Sequence, residues 1–180
     1  MKKNLIIAVG TALTLTLVAC GGNQTTPNGN NTAETIESNN TSGEGNVELP
    51  NPFVEYDSIE EAEEAVGFDI AVPDTIDGYP EKIIRALITD DSKMIEVIYR
   101  DDEKNEIRIR KAPGSEDISG DYNKYEQSSQ LTVDGMEVTA KGNGETVNLA
   151  TWVNDDFTYS VTVSDGITGE DLSDLIASIR

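Results

Sequence analysis

Tight-turn signals set at short intervals constrain this chain more than any other feature. Asp134-Gly135 separates two short runs, 130–133 and 136–141, and a two-residue Asp-Gly loop is a strong hairpin signal. Asp90-Asp91-Ser92, residues 101–105, Gly142-Asn143-Gly144 and Asn154-Asp155-Asp156 punctuate the neighbouring sequence in the same way. The segments they bound, 82–89, 94–100, 106–111, 146–153 and 157–164, read as strands. In 106–111, Ile107 and Ile109 alternate with Arg108 and Arg110, which predicts isoleucines on the core and arginines toward water. Strands joined by such short turns imply a meandering antiparallel sheet of about six or seven strands.

Two helices flank these strands. Ser58-Ile59-Glu60-Glu61 fits a capping box, and Ala62, Ala65 and Val66 follow as an apolar stripe on a short acidic helix ending near Gly67. Thr168 can cap a second helix from Gly169 to the chain end, with Leu172, Leu175, Ile176 and Ile179 on one face. Ile70-Ala71-Val72-Pro73 reads as a short extended piece and Asp77-Gly78 as a turn. An N-terminal and a C-terminal helix packed on one face of the sheet make the fold class α+β.

Composition divides the chain at Asn51-Pro52. Residues 21–52 are rich in Asn, Thr, Gly, Ser and Glu and hold no Lys, Arg or aromatic residue. Such a segment buries too little apolar surface to offset its ordering entropy, so 20–52 reads as a flexible linker with a reach of roughly 30 Å. Residues 53–180 have the composition and length of a single globular domain.

Upstream, Lys2 and Lys3 precede an apolar run from Leu5 to Val18 and small residues before Cys20, the layout of a secretory signal removed after residue 19. The apolar stretch is shorter than the ~20 residues a spanning helix needs. Leu17-Val18-Ala19-Cys20 resembles the lipobox of bacterial lipoproteins. That resemblance implies a diacylglyceryl group on Cys20 as the mature N-terminus, and localisation at the cell membrane, lipid-anchored on the extracytoplasmic face. Two acyl chains at about 0.8 kcal/mol per buried methylene anchor stably.

The chain has 34 acidic against 13 basic residues, a net charge of −21, and loss of Lys2 and Lys3 makes it more acidic still. Nucleic acid is therefore not a partner. Cys20 is the only cysteine, so no intramolecular disulfide forms.

Candidate chemistry is sparse. With no histidine, Ser-His-Asp and Cys-His arrangements are impossible, and with Cys20 lipidated no His/Cys metal site can be built. The glycines have the wrong spacing for a phosphate loop, and no Ser-x-x-Lys motif occurs. Carboxylate pairs can support hydrolysis, but acids are so numerous here that their pairing carries no signal. Acid clusters at Asp90-Asp91, at Asp101-Asp102-Glu103 with Glu106, at Asp117 with Asp121 and Asn123, and at Asp155-Asp156 fall at predicted turns. There Asp and Asn bond their own backbone, which favours turn formation over calcium, with a weak calcium site between two adjacent turns as the minority reading; neither a metal nor a cofactor is expected. Tyr122 and Tyr125 lie in 115–129, the longest irregular connection of the domain, and form the candidate interaction loop. Trp152 and Tyr159 fall at strand positions and read as core.

Gly67-Phe68-Asp69-Ile70-Ala71-Val72-Pro73, Gly78-Tyr79, Thr151-Trp152, Phe157-Thr158-Tyr159-Ser160 and Leu175-Ile176-Ala177-Ser178-Ile179 together resemble a domain-of-unknown-function family. That family occurs in Gram-positive lipoproteins and in extracytoplasmic parts of anti-sigma-factor-like membrane proteins. The resemblance also implies an analogy to periplasmic lipoprotein-carrier domains, whose curved sheet cradles acyl chains, and it supplies no catalytic residue. The expectation is a membrane-anchored extracytoplasmic lipoprotein with a non-catalytic binding or sensory domain for a protein or envelope component. The alternative is a carrier or sensor of an apolar, lipid-like ligand, kept open because 94–99 and Ile83-Ile84 read as apolar on both faces.

Overall fold

The computed structural model describes residues 51–180. The signal segment 1–19, Cys20 and all but the last two residues of the linker lie outside the described residues. The elements are β1 (Phe53–Tyr56), α1 (Ile59–Val66), β2 (Glu81–Ile88), β3 (Lys93–Arg100), β4 (Glu106–Pro113), β5 (Gln127–Val133), β6 (Met136–Asn143), β7 (Thr146–Asn154), β8 (Phe157–Ile167) and α2 (Gly169–Ala177). The strands form one open sheet in the order β1-β2-β3-β4-β8-β7-β6-β5, every neighbouring pair antiparallel.

Three expectations need correction. The sheet has eight strands among the described residues, not six or seven, and a strand rather than a helix comes first. β1 is too short to show alternation in sequence, yet it pairs along its length with β2. The sheet is also not one meander. It is two four-strand meanders, β1–β4 and β5–β8, joined where β4 pairs with β8. That pairing sets Ile107 and Ile109 opposite Val163 and Val161, joining two apolar rows. The polar β5 is left at the edge, with most of its residues exposed.

Local chemistry sets the element ends. Ser58 Oγ accepts from the Glu61 amide at 3.2 Å, and Gly67 closes α1 with φ +85°. Thr168 Oγ1 caps α2 by accepting from the Asp171 amide at 3.2 Å. Asp134-Gly135 and Asp155-Asp156 have positive φ at both positions, as two-residue hairpin loops require.

The register assigns the two sheet faces. Ile95, Val97 and Tyr99 align with Ile109, Ile107 and their neighbours on one face, and Val66, Leu172 and Ile176 of the helices join the same core. α1 lies against β1–β3 and α2 against β5 and β7. Full burial of each large aliphatic side chain contributes about 1.5–3 kcal/mol. Trp152 and Tyr159 are buried in this core and stack with ring centroids 5.1 Å apart. The end of α1 and the irregular segment after it gain partners for their carbonyls from side chains: Lys93 donates to Val66, Lys111 to Asp69, and Lys82 and Tyr99 to Pro73. Ala71 and Arg180 exchange backbone hydrogen bonds, tying the chain end to that segment.

Candidate functional site

The opposite face carries no helix and is built around one buried acid. Glu96 on β3 is 0% exposed, aligned with Arg85 on β2 and Arg110 on β4. A buried carboxylate is tolerable only with countercharge and hydrogen bonds. Arg85 Nε donates to Oε1, Arg110 Nε donates to Oε2 at 2.6 Å, and Arg108 Nε lies 3.4 Å from Oε2. The arginines of β4 therefore do not point to water as the alternation predicts: Arg110 is only 9% exposed. Residues 94–99 do bury apolar side chains on both faces, but on the second face Glu96 stands between Met94 and Ile98.

This network holds the connection between the two halves of the sheet. Residues 114–126 leave β4 near the sheet centre and reach the outermost β5 by crossing the helix-free face. Arg110 Nη1 donates to the carbonyls of Ile118 at 2.8 Å and Ser119 at 2.5 Å, with Ser119 buried beneath. Gly120 has φ +62°, and a Cβ there would sit 2.8 Å from Arg110 Nη1. Asp117 stabilises the approach by accepting from the Ser119 amide at 2.8 Å. Burial opposes ionisation of Asp117, but the bonds from Ser119 and the charge of Lys141 bring its pKa below the ordinary value.

The pinned crossover leaves a cleft of about 470 Å³ on one side. Its floor includes Glu106 and Arg108 of β4, Asn148 of β7, and Thr162 and Ser164 of β8; residues 119–125 form its overhang. Tyr122 and Tyr125, the candidate loop residues, both line it. Tyr122 is 96% exposed, whereas Tyr125 is half-buried and donates its hydroxyl to Asp121 Oδ2. Burial and the Asp121 carboxylate raise the Tyr125 pKa. Burial alone would raise the Glu106 pKa, but hydrogen bonds from Arg100 and Arg108 hold it below the ordinary carboxylate value. A second hollow, about 530 Å³, lies on the other side of the crossover, lined by Asp117, Glu137, Thr139, Thr151 and Thr158 among others.

Three acids of these clusters, Asp101, Asp117 and Asp121, bond their own local backbone. Asp101 accepts from the Asn105 amide at 2.7 Å, and Asp121 from the Asn123 amide at 2.7 Å. Among the described residues no group of three or more acids is placed to hold a metal ion, and no helix is long and apolar enough to cross a membrane. The two tyrosines do lie on an irregular connection, as expected, whereas the Glu96 cluster was not foreseen. The available signal was a lone glutamate in an apolar strand, with arginines at facing positions on both neighbours.

Fold and site together define an α+β domain with an open antiparallel sheet, helices on one face and a strapped polar cleft on the other. Residues 70–179 match a family described as a domain of unknown function, DUF4367, and the chain belongs to that family. No curated protein and no solved structure matches it.

Proposed function

We propose that the protein is a membrane-anchored extracytoplasmic lipoprotein whose domain is a non-catalytic binding or sensory module. Cys20 carries the lipid, and the cleft beneath the 114–126 crossover takes an envelope component. The observation that carries the binding half is the Arg110 latch. A buried ion cluster and two carbonyl hydrogen bonds fix the loop before any ligand arrives, and such preorganisation lowers the ordering cost of binding. The two carboxylates facing the cleft already have partners, Glu106 in arginines and Asp121 in Tyr125, which supports recognition rather than acid–base chemistry. Polar walls also weigh against an apolar ligand in this cleft. The Gram-positive setting rests on the lipobox and the acidic, Asn/Thr-rich linker.

Two measurements test the halves separately. Cys20→Ala should release a folded protein from the membrane fraction; a variant that still fractionates with membranes contradicts the anchor. A photocrosslinking residue at Tyr122 in intact cells should give an adduct that the same residue at Asp174, exposed on α2 at the other face of the sheet, does not. Equal or absent labelling at the two positions contradicts the cleft.

A further inference from the structure

We infer that this cleft binds a small sugar or polyol carrying one carboxylate or phosphate group, an inference that rests on the cleft being the binding site. The free hydrogen-bonding groups decide the chemistry. Glu106 is paired with two arginines and Asp121 accepts from the Tyr125 hydroxyl and the Asn123 amide, so the cleft's carboxylate acceptors are already engaged. Two of its cations keep free donors. Lys124 takes part in none of the ion pairs of the described residues. Arg108 donates to Glu106 through Nη2 at 2.7 Å and its buried Nε faces Glu96 at 3.4 Å, which leaves Nη1 as its free donor. A guanidinium that is only partly engaged retains capacity for a planar or tetrahedral oxyanion.

The neutral groups point to hydroxyls beside that charge. Asn143 accepts from the Glu126 amide through Oδ1, leaving its Nδ2 donors for a ligand. Asn148 donates through Nδ2 to the carbonyls of Val163 and Ser164, leaving its Oδ1 as an acceptor. Donors and acceptors side by side suit a hydroxyl, which supplies both. At the lip, the exposed ring of Tyr122 offers an apolar face to the C–H side of a sugar ring.

Net charge sets the size of the anion. Four of the five arginines in the chain, at 85, 100, 108 and 110, stand on this face of a protein with charge −21. The local cations act at contact distance, while the acidic surroundings repel an extended polyanion over a Debye length of about 8–10 Å. A small ligand with one anionic group passes that filter.

The test is calorimetric titration of the full chain in nonionic detergent with N-acetylmuramic acid, glycerol 1-phosphate and neutral N-acetylglucosamine. We expect at least one charged probe to bind about tenfold or more tightly than the neutral sugar, as a charge-assisted contact implies. Lys124→Ala, on the exposed loop, should weaken that probe roughly fivefold or more, and Arg108→Gln should do so with its fold checked by melting. Binding of the carboxylate probe alone identifies a carboxylated glycan as the source, and binding of the phosphate probe alone a phosphate-linked polyol. Equal affinity for the neutral sugar, or no response to Lys124→Ala, overturns the inference. If no probe binds while Tyr122 still crosslinks in cells, the charge inference falls and the cleft reading stands. If neither occurs, both fall.

Discussion

Glu96 Oε2 and Arg110 Nε meet at 2.6 Å across adjacent strands, and the same guanidinium reaches two carbonyls of the crossing loop. The pair thus couples the interior of the sheet to the overhang of the cleft. Replacing one member of a buried pair costs about 3–5 kcal/mol, because the other is left without its counterion. Glu96→Gln is expected to lower the unfolding free energy by that amount in urea titration. Amides of residues 118–122 should also exchange faster in Glu96→Gln than the strand amides do. A cost below about 1 kcal/mol would contradict the role assigned to the pair.

Glycine substitutions separate backbone conformation from crowding. Gly144 has φ +63° with open space around it, so Gly144→Ala should cost about 1 kcal/mol from conformation alone. At Gly142 a Cβ would lie 2.0 Å from the Thr146 carbonyl oxygen, at the register shift between β6 and β7. Gly142→Ala should therefore be clearly the more damaging of the two in thermal melts.

Each helix start offers an independent check. Ser58→Ala and Thr168→Ala each remove the hydroxyl that accepts an amide of the first turn, at about 1 kcal/mol apiece. The caps sit on helices that cover different strands, so the double variant should show the sum.

Acid should loosen the cleft. Glu106 and Asp117 both have folded pKa values below their ordinary ones. Their ionised forms therefore add stability that is present above the unfolded pKa, near 4, and is lost as pH falls through the folded values. Denaturation midpoints measured from pH 5 downward should fall, and Glu106→Gln should flatten that decline. An unchanged slope in the variant would argue that other acids dominate.

The sequence legibility of this fold followed the range of the interactions. Asp134-Gly135, the Ser58 and Thr168 caps and the Gly67 stop were readable because each depends on residues within a few positions. The β4–β8 pairing was not, because nothing near Ile109 indicates that Val161 will lie beside it. The long loop with Tyr122 and Tyr125 was found by its length, but its path over the helix-free face required that distant pairing. Glu96 was passed over because periodicity counts apolar positions, while its partners Arg85 and Arg110 are set by register across strands.

Joining the two halves of the sheet at β4 and β8 also orders events in time. Synthesis makes β1–β4 first, and the free edge of β4, with Ile107 and Ile109, has no neighbour until the final strand exists. An unpaired strand edge is a template for wrong partners while it waits. The cleft cannot form early either, since its floor contains Thr162 and Ser164 of that same last strand. A chain truncated before β8 is expected to be sticky and to lack the cleft, so a formed cleft reports that the whole domain has been made.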